Sequence, residues 1–393
     1  MPATCSRCRS AAAEVNLPYA KLRLCARCFK DFYTNRIRRT VEDFKMFRSD
    51  DRVGVAVSGG KDSMALLHGL KEAFPAAEFV ALHVDLGIRG YSEHCREKVE
   101  ELVEMLDVEL EVFDLQRELG FSIDDFKDTL YRRKVCSACG TIKRHLFEVL
   151  AGRAKTRVLA TGHNLDDVVS MMLNNFFNRN WSQLVRLKPV LEPLMPNQTF
   201  KVKPLIKTPE DENLLYCLYS EIPFREENCP HAHLGRLRRN RETLEYLSKD
   251  NPNFKYQMLR TFLKLIPILE EHIEKPKLRK CEVCGYPSSS QICAFCRRVK
   301  IVKEARTSGN KGEPRRDGKK FRLKNKFGRC VFLTDEGCKI YAFRPEGCRL
   351  YPLVFDDSLK KPVLDELCPY REEFDIKKSD LERLLRLIEK LET

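Results

Sequence analysis

The feature that most constrains this chain is a short glycine-containing loop between a buried strand and a helix. The run RVGVAV at residues 52–57 has the continuous apolar character of a strand covered on both faces. It leads directly into Ser58-Gly59-Gly60-Lys61-Asp62-Ser63, and helical spacing follows over residues 61–73. A loop in this position presents backbone N–H groups and a helix N-terminus to a phosphate. The sequence therefore predicts an anion-binding turn at the carboxyl end of a strand.

The rest of the central region alternates between strand-like and helix-like segments. Strands are predicted at 78–84, 109–113 and 157–161, and helices at 92–106, near 123–133, at 141–153 and at 164–177. Further helices are predicted from Arg36 to Phe47, near 209–219, at 236–249 and at 253–272, whereas residues 178–206 are predicted to be irregular. Such alternation predicts an α/β fold, with a parallel sheet wrapped by helices and joined by right-handed crossovers.

The charge of the chain favours a polyanionic partner. Its 71 lysine and arginine residues outnumber 57 acidic residues among 393 and give a formal net charge of +14, which suits binding driven by counterion release. No stretch approaches the ~18 uninterrupted apolar residues that a membrane helix needs, and the first ten residues are polar. We therefore expect a soluble, cytoplasmic protein with no membrane partner.

The spacing of the loop separates it from the common phosphate-binding loops. The Walker A pattern GxxxxGK[ST] is absent, so an ordinary P-loop that transfers a γ-phosphate is excluded. The residues SGGKDS resemble the PP-loop of the N-type ATP pyrophosphatases, which hold the pyrophosphate of ATP and split the α–β bond to transfer AMP. The resemblance implies ATP and Mg²⁺ as ligands. The plainer alternative is a tight turn that only packs.

Two later motifs support the same site. The strand FVALHVD ends at Asp85, and in this superfamily the equivalent strand end lies beside the adenine. The run ATGHNLDD at 160–167 resembles the GHNxDD element on the rim of that nucleotide site. Its two carboxylates can ligate magnesium or position the α-phosphate, or can simply cap a helix and form its solvated first turn. The resemblance implies that ATP is bound by Ser58, Gly59, Gly60, Lys61, Asp62, Ser63, Val84, Asp85, Gly162 and Asp167, and that Lys61, Asp62, Asp166 and Asp167 are catalytic.

Eight of the 17 cysteines form four CxxC pairs. Their density is far below that of a disulfide scaffold, and in a reducing compartment cysteines at this spacing more often bind metal. The pairs define two quartets, each able to wrap one tetrahedral zinc in a closed structural site. The quartets are Cys5, Cys8, Cys25 and Cys28, and Cys281, Cys284, Cys293 and Cys296.

Three of the cysteines outside the quartets form a further candidate site. Cys136 and Cys139 stand in CSACG, and Cys229 precedes a proline in ENCP. Three thiolates can hold a 4Fe-4S cluster and leave one iron open to an exogenous ligand. They can equally form a redox pair that passes through a persulfide and a disulfide, or bind zinc together with His231 or His233. The residues alone do not separate these chemistries.

In combination, these motifs are similar to those of the tRNA 2-thiolation enzymes of the TtuA and NcsA type, over roughly residues 1–300. The resemblance implies an iron–sulfur cluster on Cys136, Cys139 and Cys229, and a catalytic or substrate-positioning role for Lys143. It also implies a tRNA substrate, a homodimer, and sulfur delivered as sulfide or by the thiocarboxylate of a ubiquitin-like carrier. Adenylation of a uridine carbonyl would bond its oxygen to the phosphorus of AMP. The oxygen then departs as part of AMP when sulfur attacks the same carbon.

The chain beyond residue 300 departs from that pattern. The stretch YAFRPEGCRLYP at Tyr341 to Pro352 resembles the YkgJ-like zinc- or iron-chelating domain, which implies a zinc or iron site on Cys330, Cys338, Cys348 and Cys368. The sequence thus predicts five segments. They are an N-terminal zinc finger (1–34), a PP-loop catalytic domain (35–275), a second zinc finger (276–300), a linker (301–323) and a cysteine-cluster module with a terminal helix (324–393).

Basic clusters are candidates for RNA contacts, since a modified base must leave its stack and enter the pocket. They comprise Arg36, Arg38 and Arg39; Arg179, Arg186 and Lys188 with Trp181; and Arg236, Arg238, Arg239 and Arg241. Two rival functions remain open from sequence alone. One is an ATP pyrophosphatase of the ligase or amidotransferase type with purely structural metal sites, and the other is a non-enzymatic zinc-finger RNA binder.

Overall fold

The chain divides into two compact units, Met1–Gly312 and Glu313–Thr393. The computed structural model describes residues 3–195, 198–232, 236–274 and 277–307 of the first unit. Of the second unit it describes residues 325–326, 329–330, 333–334, 337–338, 350, 353–356, 361–364 and 376–392. Among these residues no helix is both long and apolar enough to cross a bilayer.

A six-stranded sheet forms the centre of the first unit. Its strands are β3 (Arg52–Val57), β4 (Glu78–Asp85), β5 (Glu109–Asp114), β6 (Val158–Ala160), β7 (Val190–Leu191) and β8 (Phe200–Val202). The spatial order is β5-β4-β3-β6-β8-β7, and every pair is parallel except β7 with β8. The chain moves outward from β3 to β5 and then returns to β6 on the other side of β3. This change of direction creates a crevice at the carboxyl ends of β3 and β6, where α/β proteins bind ligands.

Helices cover the sheet and complete the first unit. They are α1 (Ala26–Asp43), α2 (Lys61–Ala73), α3 (Ser92–Leu106), α4 (Leu115–Leu119), α5 (Val135–Arg153), α6 (Leu165–Phe177), α7 (Trp181–Leu184), α8 (Glu210–Tyr219), α9 (Arg236–Asp250), α10 (Phe254–His272) and α11 (Ala294–Thr307). Short 3-10 helices span Pro18–Ala20, Asp124–Asp128 and Val185–Leu187. The α/β class and the parallel sheet predicted from the sequence are confirmed.

The amino-terminal module shares one core with the sheet. Strands β1 (Val15–Leu17) and β2 (Leu22–Leu24) form an antiparallel hairpin that leads into α1. Tyr33 on α1 is fully buried and stacks on Tyr216 of α8, with ring centroids 3.9 Å apart. Helix α1 begins ten residues before the predicted Arg36, because the second CxxC pair supplies its first turn.

The segment before α5 differs from the sequence prediction. The predicted helix near 123–133 is wrong: α4 ends at Gly120, whose φ of +77° stops the helix, and Asp124–Asp128 form a 3-10 turn instead. The side chain of Asp125 accepts the N–H of Ser122 at 2.7 Å, a local bond that favours a turn over a helix. Helix α5 begins at Val135 rather than 141, so CSACG lies in its first two turns. Strands β7 and β8, with two and three residues, lie in the stretch predicted to be irregular.

The second cysteine quartet packs against α5. A hairpin of β9 (Arg279–Lys280) and β10 (Pro287–Ser288) precedes α11. The ring of Phe295 on α11 stacks on His145 of α5, with centroids 3.8 Å apart. Helix α11 continues to Thr307, into the first residues of the predicted linker.

The second unit contains three short hairpins and a helix among its described residues. The strands are β11 (Asn325–Lys326), β12 (Arg329–Cys330), β13 (Leu333–Thr334), β14 (Gly337–Cys338), β15 (Leu353–Asp356) and β16 (Lys361–Leu364), paired antiparallel in that order. Helix α12 (Lys378–Glu392) contributes Leu384 to a small core with Leu350 and Leu353.

The glycine at the first turn of the PP-loop gives a stability prediction. Gly59 has φ +77°, and a Cβ there would lie 2.7 Å from the carbonyl oxygen of Cys95. Gly90 has φ +64° with nothing within 4 Å of the same position. We expect Gly90→Ala to cost about 1–2 kcal/mol from the left-handed backbone alone, and Gly59→Ala to cost more because the backbone of α3 must also move. Thermal unfolding midpoints of the two variants check this, and equal losses would contradict it.

Candidate active site

The PP-loop closes on itself through its two serines. The N–H of Ser58 donates to Oγ of Ser63 at 3.0 Å, and that hydroxyl donates to the carbonyl of Gly60 at 2.9 Å. The hydroxyl oxygens of the two serines lie 3.2 Å apart. Gly60 is the extended N-cap residue of α2, so the loop ends at a helix N-terminus. The turn predicted at the carboxyl end of β3 is therefore present, and its binding of phosphate stays a prediction.

Lys61 at the start of α2 is held between two carboxylates. Its Nζ lies 2.6 Å from Oε1 of Glu210 and 3.2 Å from Oδ2 of Asp62. Partial burial opposes the charge of this ammonium, but the two carboxylates outweigh burial and raise the pKa of Lys61. The lysine is therefore a permanent cation at the mouth of the loop.

Asp62 is oriented by two amides. Its Oδ1 accepts from Nδ2 of Asn164 at 3.0 Å and from Nδ2 of Asn213 at 2.7 Å. The amide oxygen of Asn213 in turn accepts from the hydroxyl of Tyr33 at 2.7 Å. Three elements thus fix the carboxylate, and its second oxygen, Oδ2, faces Lys61.

Asp167 faces the same group of charges. It pairs with Nη2 of Arg241, whose Nη1 lies 2.9 Å from Oε2 of Glu210. Burial raises the pKa of Asp167 to about 6, assisted by the nearby charges of Asp62 and Glu210 and opposed by Arg241. Three carboxylates and two cations therefore converge beside the PP-loop, an arrangement able to exchange an internal cation for a divalent metal ion.

Asp166 points into the protein instead. Its side chain is buried, with Oδ1 2.5 Å from Nζ of Lys255 and Oδ2 accepting the N–H of Glu210 at 2.7 Å. These contacts secure the first turn of α8 and hence the position of Glu210. The paired aspartates of the GHNLDD motif thus occupy different environments.

A recess of about 80 Å³ opens beside the loop at the ends of β3 and β4. Its lining includes Ser58, His83, Val84, Cys95 and Lys143. His83 is buried, its Nδ1 lies 3.0 Å from the carbonyl of Val57, and its Nε2 has no hydrogen-bond partner among the described residues. An unsatisfied buried nitrogen in a recess fits a ligand with a polar edge, such as a nucleobase.

Two other predicted nucleotide-site residues shape the surrounding turns. Asp85 accepts the N–H of Gly87 at 3.0 Å, which fixes the turn after β4. A Cβ at Gly162 would lie 3.1 Å from the backbone of Ser63, so the GHN loop packs directly on the PP-loop helix. Both residues position backbone near the predicted nucleotide.

The three cysteines predicted to hold a cluster lie around the amino end of α5. Cys136 donates from Sγ to the carbonyl of His231 at 2.7 Å, which brings the segment after Cys229 onto the helix. Burial raises the pKa of Cys139, with the charge of Lys143 opposing and those of Cys229 and Cys136 adding to the rise. Cys136 is exposed and the other two are half-buried. Among the described residues, only the two quartets have all of their sulfur atoms within 4.8 Å of one another, and these three thiols do not form such a set.

The imidazole of His231 contacts a carboxylate. Its Nε2 lies 2.6 Å from Oδ1 of Asp124, which anchors the segment to the 3-10 turn before α5. His233, the other histidine considered with these cysteines, lies outside the described residues.

A backbone connection ties the cysteine segment to the PP-loop. The N–H of Arg225 donates to the carbonyl of Gly59 at 2.8 Å, and Gly60 and Arg225 form a parallel bridge. Cys229 comes four positions after Arg225, a span of at most about 14 Å in extended chain. The predicted cluster site therefore lies on the same side of the molecule as the phosphate-binding turn.

Each quartet gathers its sulfur atoms into a compact set. Within each, all four lie within 4.8 Å of one another, and the distances include 3.9 Å for Cys8–Cys25, 3.9 Å for Cys281–Cys296 and 3.6 Å for Cys284–Cys293. Tetrahedral metal–sulfur bonds of ~2.3 Å require sulfur atoms ~3.8 Å apart. The quartets thus fit single metal ions. The predicted site on Cys330, Cys338, Cys348 and Cys368 lies outside the described residues, apart from the backbone of β12 and β14.

The basic residues predicted to contact RNA differ in exposure and in their partners. The prediction that Arg36 contacts RNA is wrong, because its side chain is only 12% exposed and pairs with Glu212 at 2.9 Å. Arg38 donates to the carbonyl of Ala73, whereas Arg39, Arg186 and Trp181 are exposed. Arg241 belongs to the active site, and the side chains of Arg236, Arg238 and Arg239 lie outside the described part of the chain.

Comparison with known proteins adds two family matches. Residues 31–241 match the PP-loop domain family, and residues 278–369 match a zinc- or iron-chelating domain family. This chain belongs to the PP-loop family. The first match covers the loop, the GHN motif and Cys229, and the second joins the later quartet to the cysteines that come after it.

Two curated relatives of the PP-loop chain are tRNA-5-methyluridine(54) 2-sulfurtransferases. The protein from Pyrococcus horikoshii is 34% identical over 300 residues, covering 76% of this chain and 94% of its own length. That from Thermus thermophilus is 36% identical over 285 residues, covering 72% and 88%. A similar solved structure is the U34-tRNA thiolase NcsA of Methanococcus maripaludis with its [4Fe-4S] cluster. It has a TM-score of 0.65 and 27% identity, covering 76% of this chain and 95% of the other.

Sequence reasoning missed several residues of the site. Glu210 and Arg241, which surround Lys61 and Asp167, come from α8 and α9, far along the chain. Asn213, which holds Asp62, also comes from α8. No motif marks these three positions, and only the tertiary packing of α8 and α9 against the loop identifies them.

The raised pKa of Asp167 gives a stability prediction. Its folded-state pKa of about 6 exceeds the ordinary value of 3.8, so the folded state binds more protons and stability falls as pH rises from about 4 to 6. Above pH 6 the carboxylate is ionised in both states and its burial destabilises the folded state by the full amount. Asp167→Asn removes this loss of stability. We expect this variant to unfold at a higher temperature than the wild type at pH 7.5, with a smaller difference at pH 5. The exposed Asp50→Asn is the control; a deficit at pH 7.5 for Asp167→Asn would refute the prediction.

Metal analysis tests the quartets. We expect Cys5→Ser and Cys281→Ser each to remove about one zinc per chain, because a tetrahedral structural site does not survive the loss of one thiolate. Inductively coupled plasma mass spectrometry of the purified chain measures the content. Cys217→Ser, which alters a buried cysteine outside both quartets, should leave the zinc content unchanged.

Proposed function

We propose that this chain is an ATP-dependent tRNA uridine 2-sulfurtransferase, which adenylates the C2 carbonyl oxygen of a uridine and replaces that oxygen with sulfur. The observation that carries the proposal is the position of Lys143. This lysine lines the recess beside Ser58 of the PP-loop, and its charge also acts on the thiol of Cys139. Nucleotide site and cysteine site therefore share a side chain. The 34–36% identity to two tRNA 2-sulfurtransferases supports the same function.

The first step assigned to the site is transfer of AMP. The uridine oxygen attacks the α-phosphate, the bond to the β-phosphate breaks, and pyrophosphate leaves. The loop amides and Lys61 are placed to bind that pyrophosphate, since their positive ends meet at the N-terminus of α2. When the phosphates enter, they compete with Asp62 and Glu210 for the ammonium of Lys61.

Asp62 and Asp167 are the carboxylates that we propose for Mg²⁺. Asp62 is fixed by Asn164 and Asn213, and Asp167 is held by Arg241. Mg²⁺ prefers carboxylate and phosphate oxygens, so ATP would bring it to these residues. We assign Asp166 a positioning role through α8 rather than a catalytic one, because Lys255 and the N–H of Glu210 occupy both of its oxygens.

Cys136, Cys139 and Cys229 are the proposed ligands of a 4Fe-4S cluster. When bound, such a cluster offers an iron without a protein ligand, on which sulfide or carrier-derived sulfur can be presented. The backbone pairing of Arg225 with Gly59 keeps Cys229 near the adenylated base. Lys143 is placed to hold the base between the two sites and to stabilise negative charge on C2 substituents as AMP departs.

Position 54 of tRNA is the first target that we propose. The relatives named for that position have 34% and 36% identity to this chain, against 27% for the U34 thiolase. We also propose that the chain forms a homodimer. A thiocarboxylate carrier is the proposed alternative to sulfide as the sulfur donor.

The deciding experiment is thiolation in vitro. Anaerobically purified protein is incubated with unmodified tRNA, MgATP and sulfide, and the nucleosides and mapped fragments are analysed by mass spectrometry. We expect 2-thiouridine, together with tRNA-dependent release of AMP and pyrophosphate. Lys61→Ala, Lys143→Ala and Cys229→Ala should each lower product formation by at least about 100-fold, as expected for groups acting in the transition state. Lys98→Ala, which removes a surface lysine paired with Glu101, is the matched control.

The same assay separates the rival functions. A colourless wild-type protein that releases pyrophosphate but forms no 2-thiouridine would favour a ligase or amidotransferase with structural metal sites. An absence of tRNA-dependent pyrophosphate release from the wild type would favour a non-enzymatic RNA binder.

A further inference from the structure

A group of four cations lies beside the GHN loop. Lys143, Arg144, Arg186 and Lys203, here named the cation group, form no ion pair with any carboxylate of the described residues. Their basic neighbours are different, since Lys188 pairs with Glu270 at 2.8 Å and Lys201 pairs with Glu148. The cation group therefore carries positive charge that its surroundings do not balance.

Backbone hydrogen bonds hold the cation group together. The N–H of Thr161 in the GHN loop donates to the carbonyl of Val202 at 3.0 Å, and the N–H of Lys203 donates to the carbonyl of Pro189 at 3.0 Å. The three segments that carry His163, Lys203 and Arg186 therefore lie next to one another. Helix α5 contributes the other two cations. Desolvation by the surrounding chain, followed by the charge of Lys203 and those of the two α5 cations, lowers the pKa of His163 to about 4, although the residue keeps an exposed edge.

Lys203 is the least accessible member of the group. Its residue is only 5% exposed, and within the described chain its Nζ donates to a single acceptor, the carbonyl of Lys188, at 2.6 Å. Burial, followed by the charges of Arg186, Lys201 and Lys188, lowers the pKa of Lys203 to about 8. An ammonium has three donors, so two remain for a ligand.

Such an arrangement opposes folding unless an anion joins it. Burying a cation among like charges costs free energy, and the described part of the chain supplies no carboxylate to offset that cost. The charge of the exposed Arg186 acts on the buried Lys203, and Lys203 and Lys143 both act on His163. Because Lys143 lines the recess, the group forms a path of positive charge from the surface to the recess. A phosphate group matches both the charge and the donors of this path.

We propose that the cation group binds a backbone phosphate of the RNA strand next to the uridine that enters the recess. The inference rests on the proposed function and adds how the substrate strand is held. The phosphates of ATP already have the loop amides and Lys61, whereas a base that leaves its stack brings its flanking phosphates with it. Arg186 and Lys203 are positioning residues in this scheme.

Equilibrium binding of tRNA and of ATP, measured separately over a range of salt concentrations, tests the proposal. The variants are Arg186→Ala and Lys203→Met, the second chosen to keep the volume of a buried side chain. The control is Arg153→Ala, which removes an arginine paired with Glu118 at the other end of α5. We expect each of the two test variants to weaken tRNA binding roughly tenfold and to reduce the slope of log K against log salt by about 0.7, the value for one phosphate of a single strand. Affinity for ATP without tRNA should match the wild type.

Other outcomes overturn the inference. Unchanged tRNA affinity and salt slope in Arg186→Ala and in correctly folded Lys203→Met would contradict the inference. A loss of ATP affinity with tRNA binding intact would also contradict it, because the site would then bind the nucleotide. If the wild type binds tRNA with the expected dependence on Arg186 but forms no thiolated product, the proposed function fails while the phosphate site stands.

Discussion

The parallel pairing of Gly59 and Gly60 with Arg225 is the contact on which the proposed chemistry depends. It joins a loop at the end of the first long strand to a segment found more than 160 residues later, and it does so through backbone atoms. Because Cys229 comes within four residues, one set of hydrogen bonds would set the geometry of both the proposed nucleotide cleavage and the proposed sulfur delivery. The left-handed conformation of Gly59 belongs to the same constraint, since the close approach of Cys95 leaves no room for a side chain there.

Around that contact, the electrostatics divide into two regions of opposite character. On one side, Asp62, Asp167 and Glu210 surround two cations and balance them, a composition suited to a metal–nucleotide complex that exchanges with internal ion pairs. On the other side, around His163 and Lys203, the residues that the structure describes bring cations together without carboxylates. Lys143 lies at the boundary, and this explains why one lysine can be linked to both the nucleotide recess and the cysteines. A nucleic acid and a nucleoside triphosphate, both anionic, can thus be received by different sets of residues.

Much of the fold follows from local sequence, and the exceptions have physical causes. Helix α3 has the predicted bounds of 92–106, and α2 the predicted 61–73, because their apolar periodicity is regular and their ends are marked. The predicted helix near 123–133 is absent because Gly120 and the side chain of Asp125 stabilise a turn that periodicity does not reveal. At the site, the motif residues Lys61, Asp62 and Asp167 could be found by spacing, whereas Glu210, Asn213 and Arg241 could not. Arg36 shows the reverse error: a run of basic residues looks like a surface, but the partner that holds Arg36 lies 176 positions away in sequence.

Helix α5 carries Cys136, Cys139, Lys143 and His145 on one continuous 19-residue rod. Their relative directions are therefore set by helical pitch alone, at about 100° of rotation for each residue. One residue inserted between Cys139 and Lys143 would keep both side chains. It would nevertheless rotate the ammonium of Lys143 by about 100° relative to Cys139, away from the recess. The register of this helix, rather than the identity of any residue in the interval, is what chains of this architecture must preserve, and length variation is to be sought in the turns on either side of it.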